Sequence, residues 1–269
     1  MDCFALLAMT VEKYAKKEIM KVSTRIEEFK PEKCFIAYLD ILGYEKILKK
    51  IGTTELVKII KNILTTLKEE QKYIKETLEG LGALDFKFKI FSDNIIICNK
   101  NPIYLWILVA GIQSKLIEQN IFTRGALCYE DLYIDDDLVC GEGIIKAHKL
   151  ETEQAKYPRV ILDEPFLKQL NILLKGYKPF AEVFDFSELK QLEQHLLKDY
   201  DNNIFINYLR ILTDATGSIS FIKLHKDNIA KNLKEYKNNE LVFPKYEWCK
   251  IYHNKFCQEN PEYLEYVIE

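Results

Sequence analysis

Ten residues constrain this chain more than any others: Phe35-Ile36-Ala37-Tyr38-Leu39-Asp40-Ile41-Leu42-Gly43-Tyr44. The apolar run reads as a strand, yet it carries a carboxylate. Burying an unpaired carboxylate costs several kcal/mol, so an acid there needs a partner, most commonly a metal. Phe88-Lys89-Ile90-Phe91-Ser92-Asp93-Asn94-Ile95-Ile96-Ile97-Cys98 repeats the pattern. Two apolar runs flank a polar Ser-Asp-Asn tip, which predicts a β-hairpin with an acid at its turn. Taken singly, Asp40 also reads as a helix N-cap and Asp93 as a plain turn acid. Together they favour one shared metal site.

The 269 residues are 48% hydrophobic and 29% charged, with net charge −3. This is enough chain for a sizeable core, and the near-neutral balance argues against direct, strongly electrostatic nucleic-acid binding. The seven cysteines include no C-x-x-C pair, so buried, reduced thiols in a cytoplasmic protein are expected. No apolar stretch reaches the ~18 residues needed to cross a bilayer, so no membrane partner is expected. The N-terminus lacks the basic region of a signal peptide. There is no G-x-S-x-G, H-E-x-x-H or P-loop lysine motif.

Hydrophobic periodicity predicts an N-terminal amphipathic helix over residues 4–27. A strand follows at 34–40, then helices at 44–50 and from Gly52 to about residue 78. The hairpin occupies 86–91 and 95–98, with a helix from Pro102 to about 119 and a strand over 121–129. The acidic run Asp135-Asp136-Asp137 reads as a solvated turn. A helix is expected over 144–155 and a short strand over 158–162. The core of this order is βαββαβ, a four-stranded, mostly antiparallel sheet with two helices on one face. Its first strand is central and lies beside the hairpin. Beyond residue 163 a strand over 180–186 and a helix over 187–198 are expected, with helices from Ser220 broken at Pro244 and Pro261. Tyr246, Trp248, Tyr252 and His253 there read as core packing. The boundaries expected are 1–30, 31–165 and 166–269: an N-terminal helix, a catalytic α+β domain, and a mostly helical C-terminal subdomain packed on it.

These motifs resemble the catalytic domain of class III nucleotidyl cyclases, with its ferredoxin-like palm, over roughly residues 34–163. That family carries Asp-Ile-x-Gly-Phe after an apolar strand; Asp40-Ile41-Leu42-Gly43-Tyr44 is similar. Lys89-Ile90-Phe91-Ser92-Asp93 matches Lys-x-x-Gly-Asp with serine for glycine. Arg124-Gly125 echoes Arg-x-Gly, and Gly141 to Glu151 lines up with Gly-x-x-Val-x-x-Ala-x-Arg-Leu-Glu. Arg124-Gly125-Ala126 and Pro158-Arg159-Val160-Ile161 look closer still to the pyrimidine cyclases of Pycsar anti-phage systems, which make cyclic CMP or cyclic UMP.

The resemblance implies two Mg²⁺ or Mn²⁺ ions held by Asp40, Asp93 and the Ile41 carbonyl. Backbone amides from Leu42 through Gly43 to Tyr44 would cradle phosphates. Lys89 would read the base, with Phe91 stacking beside it; read from the residues alone, Lys89 is equally a solvent-facing strand lysine, and Arg124 and Arg159 each either bind triphosphate or pair with a surface acid. The family's transition-state Asn and Arg fall at Ile145 and Lys149; Lys149 keeps the charge but not the planar fork, with Lys146 and His148 nearby as possible substitutes. The implied activity converts a nucleoside triphosphate, UTP or CTP, to a 3′,5′-cyclic mononucleotide and pyrophosphate. It would be carried out by a cytoplasmic homodimer whose product is read by a cyclic-nucleotide-binding effector. The alternatives are an inactive palm that binds nucleotide or serves as a dimeric interaction module, and a polymerase-like palm that joins two nucleotides.

Overall fold

The computed structural model describes residues 30–77, 86–181 and 194–269. The helix expected over 4–27 lies outside the described residues. Eight described strands form the sheet: β1 (Glu32–Ile41), β2 (Lys87–Phe91), β3 (Asn94–Asn99), β4 (Thr123–Ile134), β5 (Val139–Cys140), β6 (Val160–Leu162), β7 (Leu196–Lys198) and β8 (Ile204–Ile206). Their order is β2-β3-β1-β4-β6-β8-β7, with β5 paired only to β4. β1 is antiparallel to both β3 and β4, so it is central and beside the hairpin as expected. β4 and β6 are parallel. The architecture is α+β.

From Cys34 to Leu39 β1 is continuously apolar and buried, as suits a strand covered on both faces. Phe35, Ala37, Leu39 and Ile41 point into the large core with Leu56, Leu105, Trp106 and Val109. Cys34, Ile36 and Tyr38 point the other way, into a smaller cluster with Ile96, Cys128 and Ala147. Side chains alternate along a strand, so Asp40 shares the second face.

Helix α1 (Tyr44–Thr77) and helix α2 (Pro102–Glu118) cover the large-core face. α1 is interrupted at Gly52 (φ 78°), where the expected break falls. Asn101 caps α2, its Oδ1 accepting from the amides of Ile103 and Tyr104. Helix α3 (Glu142–Glu153) packs on the opposite face. A Cβ on Gly143 would lie 2.2 Å from Ile36 Cδ1, which shows how closely α3 approaches β1.

Helix α4 (Glu164–Ala181) follows β6. It takes in residues 180–181, where a strand was expected; 182–186 lie outside the described residues. Of the helix expected over 187–198, residues 187–193 lie outside them too, and Leu196–Lys198 pairs with β8 as a strand instead. Helices α5 (Tyr208–Thr216), α6 (Ile219–Glu235) and α7 (Phe243–Glu259) complete the chain with a 3₁₀ turn at Pro261–Tyr266. Phe205, Tyr208, Trp248 and Tyr252 belong to the same core as β1, as does Tyr246; His253 is fully buried.

A buried polar chain fixes α6 against α7. His253 Nε2 lies 2.9 Å from the Tyr266 carbonyl, which can only accept. Nδ1 of neutral His253 must then accept, and receives the Nδ1–H of His225 at 2.9 Å. His225 Nε2 is left to accept from the Tyr208 hydroxyl at 2.8 Å. Burial, foremost, pushes both imidazoles below their ordinary range, which keeps them neutral.

Candidate active site

The end of β1 and the β2–β3 turn are joined directly: the Ile41 amide donates to the Asp93 carbonyl at 2.8 Å. Asp40 sits opposite Asn94 in the sheet register, and Asn94 Nδ2 donates to Asp93 Oδ1 at 2.8 Å. The two acids predicted to share a site are therefore held on adjoining pieces of backbone.

Ser92, which replaces the glycine of the hairpin motif, adopts φ 56°. That left-handed conformation costs an L-residue about 1–2 kcal/mol, and glycine enters it freely at a greater cost in chain entropy. Ser92→Gly is expected to raise stability by up to about 1 kcal/mol. Urea unfolding measures this, and a loss of stability would refute the strain.

On the other side of Asp40 lies β4. Gly125 pairs with Leu39, and a Cβ there would come within 2.3 Å of the Tyr38 carbonyl oxygen. Glycine thus permits the close strand approach that sets Arg124 opposite Asp40. Arg124 Nε donates to Asp40 Oδ2 at 2.9 Å. Its Nη2 lies 2.7 Å from Glu151 Oε1, a charge contact without the alignment of a hydrogen bond. Glu151 comes from α3 and is only 3% exposed. Burial chiefly raises its carboxyl to about 7; the Arg124 guanidinium opposes this, and the charges of Asp40 and Asp93 add to it.

Arg124 is thus clamped between two acids rather than presented to a ligand. Among the described residues, no partner engages Asp40 Oδ1 or Asp93 Oδ2. No group of three or more His, Cys, Asp or Glu suited to a metal occurs among the described residues. Two carboxylates with one open oxygen each do not suit a cage built wholly of protein. They do fit Mg²⁺ or Mn²⁺, which takes one or two carboxylates and completes its shell from substrate phosphates and water.

The turn after Asp40 is narrower as an anion site than expected. The Leu42 amide is already bonded to the Phe122 carbonyl at 2.9 Å. This leaves the amides of Gly43 (φ 70°) and Tyr44 at the start of α1.

The remaining candidates separate. Lys89 and Phe91 share the α3 face with Tyr38 and Asp40 by register. Phe91 is 53% exposed, whereas Lys89 donates to the Asp136 carbonyl. Asp135 caps its own turn, accepting from the amides of Asp137 and Leu138 at 2.8 and 2.7 Å. Ile145 is 71% exposed and Lys149 is exposed on α3; among the described residues, Asp40 is ion-paired to Arg124 and not to Lys149. Lys146 pairs with Asp163 at 2.6 Å. His148 sets its ring edge-on to Tyr38, centroids 5.6 Å apart. Arg159 is buried away from solvent and ion-paired with Asp199 and Asp201.

Two charged groups escaped the sequence reading. Glu151 closes the α3 motif, and a lone acid on the buried side of a helix was its signal. Lys245, on α7, had none. It is half-buried, and its charge interacts with Arg124, Asp40 and Glu151.

No family model matches the chain, and no curated protein matches it. Solved structures do. The catalytic core of a rhodopsin-guanylyl cyclase with converted specificity, in complex with ATPalphaS, is 15% identical over 52% of this chain and 80% of its own, with TM-score 0.36. The monomeric guanylyl cyclase domain of the RhoGC fusion protein from the aquatic fungus Blastocladiella emersonii is 13% identical over 65% and 96%, with TM-score 0.37. A class III adenylyl cyclase-like ATP-binding protein from Pseudomonas aeruginosa is 13% identical over 51% and 34%, with TM-score 0.34. These TM-scores lie below 0.5, so the functional reading rests on the residues of this chain.

Proposed function

We propose that this chain is a nucleotidyl cyclase that converts a nucleoside triphosphate to a 3′,5′-cyclic mononucleotide and pyrophosphate. The observation that carries the reading is the bonded junction of β1 with the hairpin turn, which brings Asp40 and Asp93 together beside an anion-accepting turn. Asp40, Asp93 and the Ile41 carbonyl would hold two divalent ions. When bound, such ions stabilise charge on the attacking and leaving oxygens of a phosphoryl displacement. Arg124 positions Asp40, itself steadied by Glu151. The Gly43 and Tyr44 amides receive phosphate oxygens, and exposed Phe91 offers a ring to the base.

By its resemblance to the Pycsar enzymes, the substrate is a pyrimidine triphosphate. The product is then a cytoplasmic alarm read by a cyclic-nucleotide-binding effector. A homodimer is part of the same reading. Phe91, Leu138 and Ile145 are exposed apolar side chains, and a second copy set against them would bring further groups to the site.

The test is incubation with ATP, GTP, CTP and UTP separately, with Mn²⁺ or Mg²⁺, and product identification by mass. A cyclic mononucleotide from UTP or CTP is the expected result. No cyclic product from any triphosphate would overturn the activity, and cyclic AMP or GMP alone would overturn the substrate. One observation favours a second reading, a nucleotide-binding palm without turnover: the positions matched to the transition-state Asn and Arg hold an apolar side chain, Ile145, and a lysine, Lys149, both exposed on α3. Triphosphate binding in a calorimeter without product would select it. A linear dinucleotide would select the polymerase-like palm.

A further inference from the structure

A cavity of about 440 Å³ opens beneath the Leu42–Gly43 turn, between the first turns of α1 and helices α6 and α7. Four lysines line it, Lys46 and Lys50 from α1, Lys231 from α6 and Lys245 from α7, against one carboxylate, Glu235. Lys46 is neutralised by Glu235 at 2.6 Å and lies over the Tyr236 ring, 4.0 Å from its centroid. Among the described residues, Lys50, Lys231 and Lys245 have no ion-pair partner. Lys50 and Lys231 reach solvent at the rim.

Lys245 differs from them. It is half-buried in the cavity lining, and its charge is felt by Arg124, Asp40 and Glu151. It occupies the first turn of α7, where the helix dipole disfavours a cation. Burial and then the Arg124 guanidinium lower its ammonium below the ordinary lysine range, while Asp40 and Glu151 pull the other way. A half-buried lysine without a paired acid, set against a helix dipole and a neighbouring arginine, is poorly placed for stability. It is well placed for an anion entering from the cavity.

We propose that this cavity receives the polyphosphate of the nucleoside triphosphate, with Lys245 as its innermost cation and Lys50 and Lys231 at its mouth. The proposal rests on the cyclase reading for its substrate. It goes beyond it by assigning phosphate binding to the C-terminal helices of the same chain, outside the region of family resemblance. It also supplies a cation that Arg124, held between Asp40 and Glu151, does not provide.

The experiment titrates inorganic tripolyphosphate into metal-free full-length protein by calorimetry, for wild type, Lys245→Met and Lys245→Arg. Steady-state kinetics are measured on whichever triphosphate is turned over. Circular dichroism and melting confirm that each variant is folded; methionine keeps the length of the buried stem. Lys245→Met is expected to bind tripolyphosphate about 10- to 100-fold more weakly, the range for lost charged hydrogen bonds, and to raise KM for the nucleotide. Lys245→Arg is expected to retain most of both. Equal tripolyphosphate affinity in wild type and folded Lys245→Met, or no binding by wild type, would overturn the site. The two readings fail separately. Turnover with a KM indifferent to Lys245 sinks only the cavity assignment, whereas Lys245-dependent binding without turnover sinks only the cyclase.

Discussion

Arg159→Ala is expected to lose about 3–5 kcal/mol of folding stability, the cost of removing one partner from a buried ion pair. The guanidinium has no exposed surface and is ion-paired with both Asp199 and Asp201. Asp199 also accepts from Trp248 Nε1 at 2.7 Å. The rings of Tyr157, Phe205 and Trp248 surround the guanidinium at 5.4, 5.8 and 5.7 Å. Alanine would leave two acids unpaired, open a cavity among these rings, and loosen the β7–β8 turn from the strand it is built on. Lysine is expected to fall between, since one ammonium cannot serve two carboxylates as a planar fork does. Urea unfolding followed by tryptophan fluorescence reads the change directly, because Trp248 lies in the cluster. The same variant, studied below its melting temperature, is expected to bind tripolyphosphate as wild type does. A stability loss under 1 kcal/mol together with weakened tripolyphosphate binding would restore Arg159 as a ligand.

Arg159 also marks where sequence reasoning stops. A Pro-Arg-Val stretch before a strand looks the same whether the arginine meets a phosphate or two acids 40 residues further on. β1 and the hairpin were legible because their signals are local: a continuous apolar run, a polar tip, and a pairing that two adjacent strands impose. The break at Gly52, the helix opening at Pro102 and the interruptions near Pro244 and Pro261 were legible for the same reason. β7 and β8 were not, since three residues are too few to establish a two-residue period. Their place in the sheet is set by β8 pairing with β6, which is distant in sequence. The side of the sheet taken by α3 was likewise invisible, because the helical period shows an apolar face and not which surface it meets. Lys245 lies more than two hundred residues after Asp40, and only the return of α7 to the end of β1 makes them neighbours.

Asp40→Asn and Asp93→Asn are each expected to lower kcat/KM by about 10³-fold, or about 4 kcal/mol, the scale of charge stabilisation by a bound metal. Asparagine keeps the shape and an acceptor for the Arg124 Nε–H, and Arg124 still has Glu151, so folding should survive in Asp40→Asn. At position 93 the Ile41 amide bonds the backbone carbonyl rather than the side chain. The junction of β1 and hairpin therefore remains, and what each variant removes is one anionic oxygen. If the two acids act as one unit, the double variant should be no slower than the worse single, because groups that work together lose their effect together. Mn²⁺ binding in the presence of nucleotide, followed by electron paramagnetic resonance, gives a readout independent of turnover and should weaken in all three variants. Near-wild-type kinetics in either single variant would remove that acid from the site. Two losses that multiply in the double variant would mean that Asp40 and Asp93 act separately, and the shared metal site would have to be abandoned even though the backbone joins them.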